Sequence, residues 1–279
     1  MSDHPRIPLA GVIGSPVAHS RSPLLHRHWL RTYGIKGHYI PMDVATEDLH
    51  QVLAALPRAG FVGCNVTIPH KVSVLALADI VTDRAALIGA ANTLVFRPDG
   101  KIYADNTDGY GFTANLRQYA PLWNPTTAPA AVIGAGGAAR AVIASLLEAG
   151  APEIRVSNRT RARADTLRAE FGARIVIYDW VQAGNMLEDA LTVVNTSALG
   201  MVGKPELRVP LDALSARATV ADLVYTPLRT HFLAEAEAAG CTVVDGLGML
   251  IHQAAPGFER WFGQRPEVDE ATRAAVLGA

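Results

Sequence analysis

The sequence predicts an α/β protein with a largely parallel, doubly wound sheet, and three observations carry that prediction. Short apolar runs alternate with helical patterns along nearly the whole chain, the rhythm that β-α-β units produce. A glycine-rich turn at residues 134–139 joins an apolar run to a helical one. The length, 279 residues, suits two ordinary domains, and a cluster of prolines and polar residues at 119–129 marks a break between them.

In the first half, strands are expected at 9–13, 37–42 and 61–68, alternating with helices at 23–33, 47–56 and 69–78. Pro23 and Pro69 each fit the first turn of a helix, where a missing N–H costs nothing. Thr46 before Glu47 and Asp48 reads as an N-cap with acids in the first turn. Runs 92–96 and 101–106 flank Arg97-Pro98-Asp99-Gly100 and read as a hairpin. Beyond the break come a strand at 130–133, a helix at 138–149 and a strand at 154–156, one β-α-β unit. Strands at 175–177, 192–195, 219–223 and 242–244 continue the sheet, and helices at 249–262 and 267–276 close the chain.

Composition excludes several classes. With 49% hydrophobic and 18% charged residues, the chain is globular and not disordered. Lys and Arg number 25 against 26 Asp and Glu, so no strong field gathers nucleic acid or acidic lipid. Two cysteines, Cys64 and Cys241, are too few for a disulfide scaffold or a four-thiolate metal site. The start carries Asp3 and two early prolines, unlike a secretory leader, and the longest uncharged stretch, 128–139, is too short to cross a bilayer. A soluble cytoplasmic protein is expected, a monomer or homodimer acting on a small molecule.

The glycine turn is the first chemical feature. Gly134-Ala135-Gly136-Gly137-Ala138-Ala139 fits the Gly-x-Gly-x-x-Ala form of the dinucleotide fingerprint. Gly134 permits the tight turn, Gly136 lets the backbone approach a pyrophosphate, and Ala139 lets the helix pack on the strand. The diphosphate then lies at the positive end of the helix dipole. At the end of the next strand, where an NAD site carries an acid, the sequence has Ser157-Asn158-Arg159-Thr160-Arg161-Ala162-Arg163. Guanidinium groups bind phosphate bidentately and a carboxylate would repel it, so this segment points to the 2′-phosphate of NADP.

Polar residues also gather at element ends in the first half. Ser20 and Ser22 flank Arg21 just before a helix, and an extended backbone there would turn both hydroxyls one way. Asn65 and Thr67 share one face at the end of a strand, with Lys71 placed in the first turn of the helix that follows. Asn92 and the run Asp105-Asn106-Thr107-Asp108-Gly109 also fall at element ends, where ligands of α/β folds bind.

These segments together resemble the shikimate dehydrogenase family. The matching pieces are GSPVAHSRSPLLH (14–26), NVTIPHK (65–71), GAANTL (89–94), DNTDGYGF (105–112), GAGGAAR (134–140), SNRT (157–160) and DGLGMLIHQAAPGFERWFG (245–263). They follow the family's order and spacing over nearly the whole chain. The resemblance implies reversible NADPH-dependent reduction of 3-dehydroshikimate to shikimate, in the biosynthesis of aromatic amino acids. It implies a substrate-binding catalytic domain from residues 1–108 and 246–279, with an NADP-binding Rossmann domain, 109–245, inserted between. Carried onto matching positions, Lys71 and Asp108 are the catalytic pair. Ser20, Ser22, Thr67, Asn92, Tyr225 and Gln253 hold the substrate. Asp83, Gly134, Ala135, Gly136, Gly137, Ala138, Asn158, Arg159, Thr160, Arg163, Leu223 and Gly246 match cofactor positions. Arg21 and Arg27 depart from the family pattern beside the substrate serines.

Ketone reduction needs a hydride at carbon and a proton at oxygen, so the protein must supply the proton. Lys71 is the candidate acid, because an ammonium donates to the developing alkoxide and offsets its charge. A first-turn position lowers a lysine pKa and a nearby Asp108 raises it, and the sequence leaves that balance open, as it leaves Asp108 free to orient a substrate hydroxyl. His19 and His70 read as neighbours of the site, Cys64 as strand packing, and no metal is expected. Two alternatives stand beside this reading: a quinate/shikimate or aminoshikimate paralogue on the same scaffold, and a non-catalytic NADP-binding regulator, whose mark would be loss of Lys71 or Asp108.

Overall fold

The computed structural model describes residues 7–278. The start of the chain, where the sequence argues against a leader, lies partly outside the described residues. The chain divides into two compact units, one comprising residues up to Thr107 together with those from Ile251 onward, the other Asp108–Leu250.

The first unit is built on a six-stranded mixed sheet of order β2-β1-β3-β5-β6-β4. Its elements are β1 (Leu9–Gly14), α1 (Ser22–Thr32), β2 (His38–Asp43), α2 (Leu49–Ala55), β3 (Phe61–Val66), β4 (Ile80–Val81), α3 (Asp83–Ile88), β5 (Thr93–Phe96) and β6 (Ile102–Asp105). Strands β1, β2 and β3 are parallel, and the β5–β6 hairpin adds to β3 antiparallel. Leu94 and Phe96 pack on one face of the sheet with Ile13, Leu53, Cys64 and Val66. Val95, between them, packs on the other with Val12, Tyr39 and Trp261, as the two-residue period of a strand requires.

Two expected elements differ from what forms. Residues 46–48 make a 3₁₀ turn whose N-cap is Ala45, and α2 starts only at Leu49. The Thr46 side chain therefore caps nothing, since the acids that follow it sit in the tighter turn. Residues 69–78 hold no α-helix: turns over 68–72 lead into a 3₁₀ segment, Ser73–Leu77. Its short apolar pattern buries only Val74, too narrow a stripe to hold an α-helix on the sheet.

In the second unit α4 (Asp108–Tyr119) precedes β7 (Ala130–Ile133), α5 (Gly137–Glu148), β8 (Ile154–Ser157), α6 (Arg161–Phe171), β9 (Ile175–Tyr178), β10 (Thr192–Asn195), β11 (Thr219–Asp222), α7 (His231–Ala238) and β12 (Thr242–Val244). All six strands are parallel, in the order β12-β11-β10-β7-β8-β9. That is the doubly wound nucleotide-binding order, which reverses between β7 and β10. Both faces are covered, which is why β7 is apolar throughout. Ala130 and Val132 pack against residues of α4, α5 and α6, while Ala131 and Ile133 pack against Phe232 and Leu233 of α7.

Helix α8 (Gly246–Phe262) spans the division at Leu250, and its later turns bring Gln253, Phe258 and Trp261 into the first unit. There Trp261 Nε1 donates to the Leu94 carbonyl at 2.9 Å. The last helix, α9 (Glu270–Leu277), lies on α1, held by a 3.3 Å bond from Trp29 Nε1 to Thr272 and a 2.6 Å bond from Arg21 to the Val276 carbonyl.

Candidate active site

In the first unit three of the polar residues singled out by sequence, Asn65, Asn92 and Gln253, belong to one buried network. Asn92 is 2% exposed, and its Oδ1 accepts from the Thr107 amide at 2.9 Å and from the Thr93 hydroxyl at 3.0 Å. Its Nδ2 donates to Gln253 Oε1 at 2.9 Å. The Thr107 hydroxyl in turn donates to the Gln253 main-chain carbonyl at 2.8 Å. With its oxygen turned to Asn92, Gln253 has only Nε2 to offer as a donor elsewhere. Asn65 lies under this group: Oδ1 accepts from Tyr39 Oη at 2.7 Å and Nδ2 donates to the Asn92 carbonyl at 3.1 Å. Asn65 is thereby spent on holding strands together, whereas Thr67 beyond it is half-buried.

Lys71 is half-buried in the turn after β3, and its carbonyl accepts from Ala91 N at 2.8 Å. The preceding residue, His70, is fully buried with Nε2 2.7 Å from the Val44 carbonyl, which fixes the turn against the strand. Lys71 sits in a single α-turn, closed by Val74 N on the His70 carbonyl at 3.0 Å, that runs on into 3₁₀ geometry and not into the α-helix expected from sequence. Ser20 and Ser22 are joined differently from the extended arrangement expected. Arg21 between them is helical (φ −84°, ψ −6°), and Ser20 Oγ accepts from Ser22 N at 3.3 Å. The two hydroxyls belong to one tight turn at the start of α1, with Ser22 buried and Ser20 half-buried.

Asp105 closes β6 just before this segment. Burial alone would raise its pKa, but donors from Thr82 at 2.8 Å, Arg260 at 2.8 Å and Asn106 N at 2.8 Å hold it below the ordinary carboxylate range. Asp108, three residues on, is the buried first residue of α4, following Thr107 directly. Thr93, Thr107, Asp105 and Arg260 were not among the assigned site residues. Thr107 and Asp105 lie inside the quoted 105–112 segment, but nothing in spacing shows that a threonine will bond the carbonyl of a residue 146 positions away.

The second unit holds the glycine turn as expected. Gly134 has φ +114°, a conformation side chains rarely adopt, and its N–H donates to the Ser157 carbonyl at 2.8 Å. Ala139 is fully buried where α5 meets the sheet. No side chain caps α5, and a methyl group built at Gly136 or Gly137 would meet nothing within 4 Å. Backbone at the positive end of a helix thus faces open space beside Ala135 and Ala138, the shape a diphosphate needs. At the end of β8 the Ser157 hydroxyl is buried without a hydrogen-bond partner. Asn158 closes the loop by donating to the Thr160 carbonyl at 2.8 Å. Arg161 is engaged by Asp165 and Asp179, while Arg159 and Arg163 are exposed and ion-pair with no described residue. This donor set, without a carboxylate at Asn158, fits a phosphorylated ribose. Leu223 follows β11, and Gly246 presses so close to the Leu223 carbonyl that a Cβ there would collide with it.

Family models match most of the chain. Residues 12–94 match the shikimate dehydrogenase substrate binding domain, 121–202 the shikimate / quinate 5-dehydrogenase model, and 246–277 the shikimate 5′-dehydrogenase C-terminal domain. A shikimate dehydrogenase (NADP(+)) of Cereibacter sphaeroides is 78% identical over 277 residues, 99% of each chain. The chain belongs to the shikimate dehydrogenase family. The Thermus thermophilus shikimate 5-dehydrogenase, solved with NADP(H) and shikimate, superposes with a TM-score of 0.87 at 38% identity, covering 98% of this chain and 99% of that one. A quinate dehydrogenase of Corynebacterium glutamicum solved with NAD superposes at 0.90 with 31% identity over 98% and 99%.

As a shikimate dehydrogenase the chain is an oxidoreductase that uses NADP. The two departures from the family pattern have separate places: Arg21 is committed to the Val276 carbonyl, and Arg27 stands exposed on α1. Asp83 is the exposed first residue of α3 in the first unit; the cap of that helix is Thr82, which accepts from Ala85 N at 3.1 Å. Tyr225 is half-buried on the loop after β11. Cys64 is fully buried, with burial pushing its thiol pKa far up, so it is packing. Among the described residues no group of histidine, cysteine and carboxylate side chains could hold a metal, and no helix is long and apolar enough to cross a membrane.

Proposed function

We propose that Lys71 supplies the proton and Asp108 orients the substrate in a reversible, NADP-dependent reduction of 3-dehydroshikimate to shikimate. The observation that supports this assignment is a pair of bonds from consecutive residues. Ala91 N donates to the Lys71 carbonyl at 2.8 Å, and Asn92 Oδ1 accepts the amide of Thr107, the residue covalently before Asp108, at 2.9 Å. One short segment therefore holds both the lysine turn and the residue that precedes Asp108.

NADPH, when bound, supplies the hydride. Gly134, Ala135, Gly136, Gly137 and Ala138 hold its diphosphate, Asn158, Arg159, Thr160 and Arg163 the adenosine ribose phosphate, and Asp83, Leu223 and Gly246 complete the cofactor positions. Lys71 Nζ gives a proton to the substrate carbonyl oxygen as negative charge develops there, a step worth roughly 10²–10⁴ in rate. Asp108 accepts a hydrogen bond from the adjacent substrate hydroxyl, which orients the ring. Ser20, Ser22, Thr67, Asn92, Tyr225 and Gln253 bind the remaining hydroxyls and the carboxylate, with Gln253 as a donor through Nε2. The reading includes a cytoplasmic location, supported by two buried cysteines that are both free thiols.

A steady-state assay with shikimate and quinate, each with NADP and NAD, followed by nicotinamide near-ultraviolet absorbance, tests it. Shikimate with NADP is expected to be the preferred pair. Preference for quinate with NAD would move the chain to the quinate branch of the fold, and no turnover at all would overturn the enzymatic reading.

A further inference from the structure

One buried charge has no part in the mechanism above. Asp222 ends β11 with 1% of its surface exposed and no cationic partner among the described residues. Burying a carboxylate without a counter-ion is costly, so its hydrogen bonds must be complete for the fold to tolerate it. They are, and the donors come from three separate segments. Asn195 Nδ2 at the end of β10 and the Val224 amide both reach Oδ1 at 2.9 Å, and the Thr230 hydroxyl reaches Oδ2 at 2.7 Å. Thr230 also accepts from Leu233 N and caps α7.

The same residues control the backbone on either side of Leu223. The Asn195 carbonyl accepts the Leu223 amide at 2.9 Å, so Asn195 grips this strand end with main chain and side chain together. The rest of the Asn195 amide is committed: Nδ2 also donates to the Leu199 carbonyl at 3.1 Å, and Oδ1 accepts from Ser197 N and Oγ. The next residue, Thr196, donates its hydroxyl to the Ile133 carbonyl at 2.9 Å, one residue before the Gly134 turn. The ends of β7, β10 and β11 are thus tied in sequence, from the turn that receives the diphosphate to the loop that carries Leu223 and Tyr225.

We propose that Asp222 is a positioning residue for the nicotinamide half of the cofactor: its carboxylate, gripped by Asn195, Val224 and Thr230, fixes the Leu223–Tyr225 backbone against which that half is read. The proposal rests on the assignment of Leu223 to the cofactor and of Tyr225 to the substrate made above. A neutral side chain of this length cannot replace it without loss, because only a carboxylate accepts all three bonds and brings no donor of its own. The adenosine half is held elsewhere, at the end of β8, and does not depend on this brace.

The test separates the two halves. Binding of NADP and of adenosine 2′,5′-bisphosphate is measured by calorimetry for the wild type, Asp222→Ala, Thr230→Val and Thr230→Ser, alongside kcat and KM with shikimate. For Asp222→Ala we expect NADP affinity and kcat/KM to fall about tenfold or more while the bisphosphate binds within about twofold of wild type. Thr230→Val should show the same pattern more weakly, and Thr230→Ser should restore it. Should Asp222→Ala fail to fold, the Thr230 pair carries the test alone. Unchanged NADP binding and kcat/KM in the folded variants would overturn the proposal, as would a bisphosphate affinity that falls in step with NADP, which would mark general damage to the unit. A wild type with no shikimate turnover would instead overturn the functional reading, leaving the binding comparison to decide the brace.

Discussion

Asn92 and Gln253, 161 positions apart in the chain, share a buried 2.9 Å hydrogen bond that orients both amides. Asn92 cannot rotate, because its oxygen already accepts from Thr93 and Thr107. Gln253 then presents its oxygen to Asn92 and turns its nitrogen away from it. The donor character of this position is set by the network and not by the glutamine alone.

Gln253→Glu tests that orientation with almost no change of shape. The oxygen facing Asn92 is kept, while the donor becomes an anionic acceptor that repels a carboxylate and cannot donate to a hydroxyl. KM for shikimate should rise roughly 10–100-fold with NADP affinity unchanged, since a mispaired charged group costs about 1.5–3 kcal/mol. A shikimate KM within twofold of wild type would remove Gln253 from the substrate set.

Lys71→Met should keep the fold and NADP binding while kcat drops by roughly 10²–10⁴, the usual share of a general acid. The methionine replaces the stem and leaves the Lys71 main chain, which accepts from Ala91 N at 2.8 Å, in place. Retention of more than about half of kcat would end the assignment of proton donor.

How far the sequence foretold this depends on the range of the interaction. The glycine turn was readable because its cause is local: Gly134 needs a positive φ and Ala139 a small buried side chain, and both requirements fall within six residues. The parallel order of the second sheet follows from the same β-α-β rhythm. The 69–78 segment has the pattern of an α-helix because Pro69 suits a first turn, whereas Lys71 and His70 are held there by Ala91 and Val44, partners that local pattern cannot reveal. The brace around Asp222 was invisible for the same reason. An aspartate after an apolar run reads as the end of a strand, and nothing nearby announces that Asn195 and Thr230 will close on it.

Acid should destabilise the protein through His26. The ring is fully buried and stacked on Tyr39 at 3.8 Å, and burial pushes its pKa down to about 3 from 6.5. His252 is lowered to about 4, by burial first and then by the charge of Arg265. Below pH 6.5 the unfolded chain takes up protons that the native state refuses, so this stability is present above 6.5 and is lost as the pH falls toward 3–4. Asp222 works the other way, since burial raises its pKa to about 6, and its contribution falls as the pH rises from about 4 to 6. His26→Phe keeps a ring on Tyr39 and removes the proton site. Between pH 7 and 4.5 the wild type should lose on the order of 2–3 kcal/mol more than this variant in denaturant titrations. Parallel curves for the two proteins would show that His26 does not govern the acid limb.

The proposed cofactor site puts the choice of NADP at the end of β8, where the three arginines are not equivalent. Arg161 is drawn to Asp165 and Asp179, which leaves Arg159 and Arg163 to face a phosphate. A charged hydrogen-bonded contact to the 2′-phosphate is worth about 1.5–3 kcal/mol, so Arg159→Ala should weaken NADP roughly 10–150-fold. NAD has no phosphate to lose, so its KM should hardly move and the preference ratio should collapse, with kcat at saturating NADP close to normal. Arg163, one helical turn into the same segment, can share the load and blunt the single change, in which case Arg159→Ala with Arg163→Ala completes it. Replacing Arg161 should matter less, because its guanidinium is held by two carboxylates. If the double variant kept the original NADP preference, the phosphate would be read by other residues and the role given to this segment would be wrong.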